Sequence, residues 1–343
     1  MRESPKLPDA LIQATLQIQY DLSIVTLTFL PIGNDAASFV YRVVASDGTN
    51  YFLKVRTRSG FSAPSIVIPR FLYEHGIAHI ITPVPTKTQT LWVHLNDFVL
   101  SLYPFIDART ATEAGLTKQH WHALGATLRQ IHSSQLPGEI LQIVPQETFI
   151  PSRRQVLRDL EVILAKLANT QITDPIQRQL SEFWQMRQSE IHALIDKTDR
   201  LGNQLRQASL PRVVCHADLH TWNVLLDAAQ NMWIVDWDET MLAPKERDLM
   251  FVIGGIGRNL VSAEQTAFFL QKYDNDDAAI DHRALGYYRY AWVVQEMGAY
   301  AEDVFFAPDL SARARSDSLR AFIDIFAPGN IVDIAHSSDI DLR

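Results

Sequence analysis

His216, Asp218 and Asn223 fall in the pattern H-x-D-x-x-x-x-N within Val213-Val-Cys-His-Ala-Asp-Leu-His-Thr-Trp-Asn-Val-Leu-Leu226, and Asp236 follows in Trp233-Ile-Val-Asp-Trp-Asp-Glu239. Two carboxylates and a carboxamide so close together suit phosphoryl transfer. One carboxylate orients an attacking hydroxyl. A carboxamide oxygen and a second carboxylate hold magnesium on the phosphates, because a hard cation takes oxygen ligands. On this reading Asp218 is the catalytic base or hydroxyl-orienting group, and Asn223 and Asp236 are the metal ligands. His216 supports the loop by hydrogen bonding.

Short apolar runs must position these residues. Arg212–Cys215 and Val224–Leu226 read as strands on either side of the loop, and Asp236 ends a further apolar strand. Upstream, Asp9–Tyr20 reads as an amphipathic helix capped by Asp9. Strand signals then dominate. Ser23–Leu30 leads into the small-residue turn Ile32–Ser38. Phe39–Ala45 and Tyr51–Arg56 form a hairpin around Asp47-Gly48, and Thr90–His94 with Asp97–Tyr103 forms a second hairpin. A helix is expected over Ser65–His75, interrupted by Pro69 and ended by Gly76. Beyond the extended connector Tyr103–Asp107, helical periodicity takes over at Thr117–His132, Arg153–Ala168 and Pro175–Lys197, and again from Arg247 to about Phe326. The expected fold class is α+β and two-lobed, protein-kinase-like. Residues 1–103 would form a small β-rich nucleotide-binding lobe, 103–107 a hinge, and 104–343 a larger, mainly helical catalytic and substrate-binding lobe.

Composition narrows the classes further. The chain has 343 residues, 47% hydrophobic, which is ample for a core in each lobe. Its formal net charge is −8 and it has no long basic run, which argues against a nucleic-acid partner. With a single cysteine, Cys215, no internal disulfide can form, and the thiol's place in an apolar strand predicts a buried, inert group. No apolar stretch reaches the roughly 18 residues of a membrane span, and the N-terminus lacks a signal-peptide core, so a cytoplasmic protein without a membrane partner is expected. Oligomeric state is not legible.

The order of a Gly33 turn, Lys54 on a strand, a connector at Tyr103–Ile106, His216-x-Asp218-x4-Asn223 and then Asp236 resembles the aminoglycoside phosphotransferase family, over nearly the whole chain. Within it, Tyr103-Pro-Phe-Ile106 and Glu239-Thr-Met-Leu-Ala-Pro-Lys-Glu-Arg-Asp-Leu-Met-Phe251 look like the spectinomycin-phosphorylating branch. The resemblance implies an ATP- and magnesium-dependent kinase, with GTP left open, acting on a hydroxyl of a cationic aminoglycoside or aminocyclitol. Lys54 would reach the nucleotide's α- and β-phosphates. Small residues from Gly33 to Ser38 would let backbone N–H groups approach the phosphates, although the turn is not a G-x-G-x-x-G. Tyr103, Pro104, Phe105 and Ile106 would frame the adenine. Asp238 and Glu239, with Trp292, Glu296 and Glu302 from a later helix, are the candidates for the acceptor's ammonium groups. One departure stands out. The family usually pairs its strand lysine with a glutamate on the following helix, and the matching position here is near Ala63. Another acid must hold Lys54, or nucleotide must position it.

Three other readings compete. The same chemistry would serve choline, an amino sugar or homoserine as acceptor. His216-x-Asp218-x-His220 has the compact spacing of a metallohydrolase cluster, but the other histidines supply no second cluster and Lys54 would go unexplained. A nucleotide-binding module without turnover would suit the missing glutamate but not the intact Asp218, Asn223 and Asp236.

Overall fold

The computed structural model describes residues 4–32, 37–167, 172–258, 260–273 and 279–339. In chain order, α1 (Asp9–Tyr20), β1 (Ile24–Leu30), β2 (Ser38–Ala45), β3 (Asn50–Thr57), α2 (Pro64–Glu74), β4 (Val93–Leu95) and β5 (Phe98–Pro104) come first. Next are β6 (Ala108–Thr110), α3 (Ala111–Ala114), α4 (Lys118–His132), α5 (Gly138–Leu141), α6 (Arg154–Leu167) and α7 (Pro175–Gln207). Four short strands follow, β7 (Val213–Cys215), β8 (Val224–Asp227), β9 (Met232–Ile234) and β10 (Met241–Ala243). The chain continues with α8 (Glu246–Val252), α9 (Ala263–Tyr273), α10 (His282–Phe305), α11 (Ala312–Asp324) and α12 (Ile331–Ser337). This is the α+β, protein-kinase-like class, a small antiparallel β lobe followed by a mainly helical one.

By contacts the chain divides into two compact units. The first comprises Met1–His120, Ala126–Pro145 and His216–Met241. Its main sheet has the order β1-β2-β3-β5-β4. The β2–β3 hairpin forms where Gly48 takes φ +84°, a left-handed conformation that Gly adopts at no steric cost, and Asp47 accepts from the Thr49 N–H at 2.8 Å. The register sets Lys54 opposite Val40 on one side and Ser101 on the other. Alternation along the strands sends Tyr41, Val43, Leu53, Val55, Leu100 and Leu102 into a core closed by Ile12 and Leu16 of α1. Asp9 is the first helical residue of α1 rather than its cap. Pro8 holds the cap position and makes no side-chain capping bond. A carboxylate in the first turn still favours the helix through the dipole.

Helix α2 runs through Pro69 without breaking, and it ends where Gly76, at φ +78°, turns the chain. A second sheet, β6-β8-β9, carries the loop of interest. Residues 108–110 were not legible as a strand. Three residues hold no periodicity, and β6 exists because its backbone pairs with β8, Arg109 opposite Leu226.

The second unit comprises Trp121–Gly125, Gln146–Cys215 and Leu242–Arg343. Helix α10 is its centre and packs against α6, α7, α8, α11 and α12. Its aromatic residues Tyr287, Tyr288, Tyr290 and Trp292 are buried, so they read as core. Cys215 is buried as expected, and burial pushes its thiol well above the ordinary range. No helix among the described residues is long and apolar enough to cross a membrane.

Candidate active site

The first unit brings Lys54, His216, Asp218, Asn223, Asp236 and Asp238 into one region of hydrogen bonds. Hairpin β8–β9 is the base of this region, with Val224 opposite Ile234 and Leu226 opposite Met232. Its turn is closed by Asp227. One oxygen accepts from the Ala229 and Asn231 N–H groups at 2.9 Å each, and the other from Asn231 Nδ2 and Trp233 Nε1. These bonds, that from the Asn231 side chain foremost, hold the Asp227 carboxyl below its usual range. The hairpin places Asn223 and Asp236 at neighbouring strand ends. The Val235 N–H donates to Asn223 O at 3.0 Å, which ties the two ends together.

Two non-glycine residues flank this point in left-handed backbone, Ala217 at φ +67° and Asp236 at φ +63°. Such a conformation costs an L-residue about 1–2 kcal/mol. The surrounding hydrogen bonds hold it. His216, fully buried, has both ring nitrogens engaged by backbone. Nδ1 lies 3.3 Å from the Asp218 N–H, and Nε2 lies 2.9 Å from Val235 O. That pairing assigns the tautomer: Nε2 donates and Nδ1 accepts. His216 is therefore a loop support, as expected from the sequence. With both nitrogens occupied it is not available as a metal ligand, and the metallohydrolase reading loses its first residue.

Asn223 Nδ2 donates to Asp218 O at 2.8 Å and to Asp218 Oδ2 at 3.0 Å. The amide so oriented fixes the Asp218 carboxylate and leaves Asn223 Oδ1 as its remaining acceptor. His220 Nε2 is 3.4 Å from the same Asp218 oxygen. Asp236 faces Lys54, Nζ to Oδ1 3.0 Å. Burial alone would raise the Asp236 carboxyl, but the Lys54 ammonium and its hydrogen bonds outweigh it and hold the group ionised, below the ordinary carboxylate range. An amide oxygen and an ionised carboxylate at adjacent strand ends form an all-oxygen set, which fits a hard divalent cation.

The remaining expected residues fall as follows. Ser38 is buried at the start of β2, opposite Arg56. Gly33 lies outside the described residues. Tyr103 and Pro104 complete β5, pairing with Phe52 and Tyr51. The Phe105 N–H donates to Asn50 O at 3.2 Å, so that connector donor is already taken, and Arg42 lies over the Phe105 ring at 4.9 Å.

Several acceptor candidates are engaged within the protein. Asp238 does not present an unpaired carboxylate: Oδ2 is 2.7 Å from Lys54 Nζ and also meets Arg56 Nη2. Trp292 is buried, edge-on to Phe251 and near the Arg247 guanidinium. Glu302 pairs with Arg153, and Glu296 accepts from the Tyr300 hydroxyl at 2.5 Å. Glu239 is exposed. Arg56 was missed by sequence reasoning, and its one signal is its place two residues after Lys54 on the same strand face.

A loop carboxylate oriented by an amide, a neighbouring pair of oxygen donors and a strand lysine on the second carboxylate are an arrangement suited to phosphoryl transfer to small molecules. Residues 28–288 match the model of the phosphotransferase enzyme family, APH, and the chain belongs to that family. It is 30% identical to spectinomycin phosphotransferase, APH(9)-Ia. The crystal structure of that enzyme in complex with ADP and spectinomycin aligns over 98% of this chain and 99% of the other, with a TM-score of 0.87. Protein StrN of Streptomyces griseus is 25% identical over 225 residues, 65% of this chain and 67% of StrN. The amicoumacin kinase hAmiN, in complex with AMP-PNP and Ca2+, shares the fold at 20% identity and a TM-score of 0.63, covering 95% of each chain.

Proposed function

We propose that this enzyme transfers the γ-phosphoryl group of ATP, with magnesium, to a hydroxyl of a cationic aminocyclitol of the spectinomycin type. The observation that carries the reading is the Asn223 amide locking the Asp218 carboxylate five residues away, next to the ionised Asp236 on Lys54. The likeness to APH(9)-Ia over nearly the full chain supports the choice of acceptor class.

In this mechanism Asp218 accepts a hydrogen bond from the acceptor hydroxyl and aims its oxygen at the γ-phosphorus. A new O–P bond forms as the β–γ bridging bond breaks and ADP leaves. The transition state is loose, so the proton passes to Asp218 late, and positioning is the carboxylate's main contribution. Asn223 and Asp236 would hold the magnesium, which neutralises charge on the phosphates. Lys54 meets the α- and β-phosphates as a point charge. Residues 1–103 act as the nucleotide-binding lobe, 104–343 as the catalytic and substrate-binding lobe, and 103–107 as the hinge. Glu239, the exposed carboxylate three residues past Asp236, is assigned to an acceptor ammonium.

The test is ADP release over a panel of acceptors: spectinomycin, other aminoglycosides, choline, amino sugars, homoserine and neutral polyols. Cationic aminocyclitols should turn over and neutral polyols should not. Glu239→Gln should raise the acceptor KM about fivefold, near the 1 kcal/mol of an exposed ion pair. Equal turnover of neutral acceptors would remove the aminocyclitol assignment and leave the phosphotransferase.

A further inference from the structure

Lys54 and Arg56 lie two residues apart on β3 and so share one face of the sheet. Both reach the same oxygen, Asp238 Oδ2, and Lys54 also reaches Asp236. Arg56 is itself tied down, with Nη1 donating to Gly60 O at 2.9 Å and its side chain 8% exposed. The first turn of α2 carries no acid, and the acid at its far end, Glu74, pairs with Arg70. We propose that Asp238, clamped by Arg56, is the positioning residue for Lys54, in the place where a helix carboxylate would otherwise serve. This inference rests on the assignment of Lys54 to the nucleotide phosphates.

Charge and geometry both favour it. Asp236 is shared between Lys54 and the ligand set it forms with Asn223, so it cannot serve the lysine alone. Asp238 is not assigned to that set, although its side chain also hydrogen-bonds Asp236. Two carboxylates, Asp236 and Asp238, on Lys54 alone would leave a net negative charge facing a phosphate. With Arg56 on Asp238 the two cations offset the two carboxylates. The lysine is thereby fixed in direction without losing its attraction for the phosphates. Arg56 can hold Asp238 firmly because its own fork is fixed by the Gly60 carbonyl.

The experiment is a double-mutant cycle on the full chain with Asp238→Asn, Lys54→Met and the pair. It is read by kcat, by the KM of each substrate and by ADP affinity from calorimetry. Asp238→Asn should lower kcat and weaken ADP by about tenfold each, the range of directly coupled residues, and leave acceptor KM within about twofold. In the Lys54→Met background the same change should add almost nothing, because its only route to the reaction is gone. Arg56→Gln should give a milder version of the same pattern, and it carries the test should Asp238→Asn fail to fold. Full additivity in the cycle, or a rise confined to acceptor KM, overturns the proposal. If Lys54→Met alone leaves ADP affinity and kcat unchanged, it is the phosphate role of Lys54 that fails.

Discussion

Asp218 depends on its neighbours more than its place in a motif suggests. Its carboxylate is oriented by Asn223 Nδ2 and its backbone N–H is directed at His216 Nδ1. The reacting oxygen would therefore meet an acceptor whose direction is set before substrate arrives. Asp218→Asn keeps the shape and removes the charge. The expected outcome is a loss of turnover of roughly 100-fold or more, the lower scale of positioned acid–base groups, with ADP affinity nearly unchanged in calorimetry. Near-normal turnover by a folded variant would take Asp218 out of the mechanism. That these residues come together was legible from spacing and residue type: a histidine, an aspartate and an asparagine in one loop, then an aspartate at a strand end. Asp238 was not. A carboxylate two residues past Asp236 has the same local sequence whether it faces a ligand or an ion pair. The Lys54 and Arg56 that claim it are more than 180 residues away in sequence. Trp292 and Glu302 were illegible for the same reason, since burial and the Arg153 partner are tertiary facts.

At the scale of elements, periodicity placed the long helices and the hairpins, and it failed where pairing or capping decides. Helix α7 continues past Lys197 to Gln207. Its polar surface there hides Leu201 and Leu205, which are buried, and Gly202, where an added Cβ would lie 2.5 Å from Phe149 O. Strands β6 and β10, three residues each, have too few positions to show alternation. Helix α7 starts at Pro175 as expected, and the structure supplies the cap, Asp174. Asp174 Oδ1 accepts from the Ile176 and Gln177 N–H groups, and Oδ2 meets Arg315. The hydrogen bond from Arg315 is the largest influence holding the Asp174 carboxyl below its ordinary range. A depressed carboxylate contributes stability that is present above its unfolded pKa and lost as pH falls through the folded value. Asp174→Ala should thus cost about 1 kcal/mol at neutral pH, the usual worth of a cap, by denaturant titration. The gap to wild type should narrow below about pH 4. A gap that stays constant down to low pH would mean the charged form of the cap adds nothing.

For the whole molecule, the order of a β-rich region, an extended connector and a helical region was enough to assign the class, because each region's period differs. The acidic balance, 39 acidic against 31 basic residues, is compatible with a cationic acceptor, as is the family to which the chain belongs. The most direct measurement is mass spectrometry of spectinomycin incubated with the purified chain, ATP and magnesium, beside the Asp218→Asn variant. The expected result is spectinomycin carrying one added phosphoryl group, matched by ADP formed in equal amount, and neither product above background with the variant. Unmodified spectinomycin in the presence of ATP turnover, or a phosphorylated product that the variant forms equally well, would contradict the assignment of Asp218 and of the aminocyclitol acceptor.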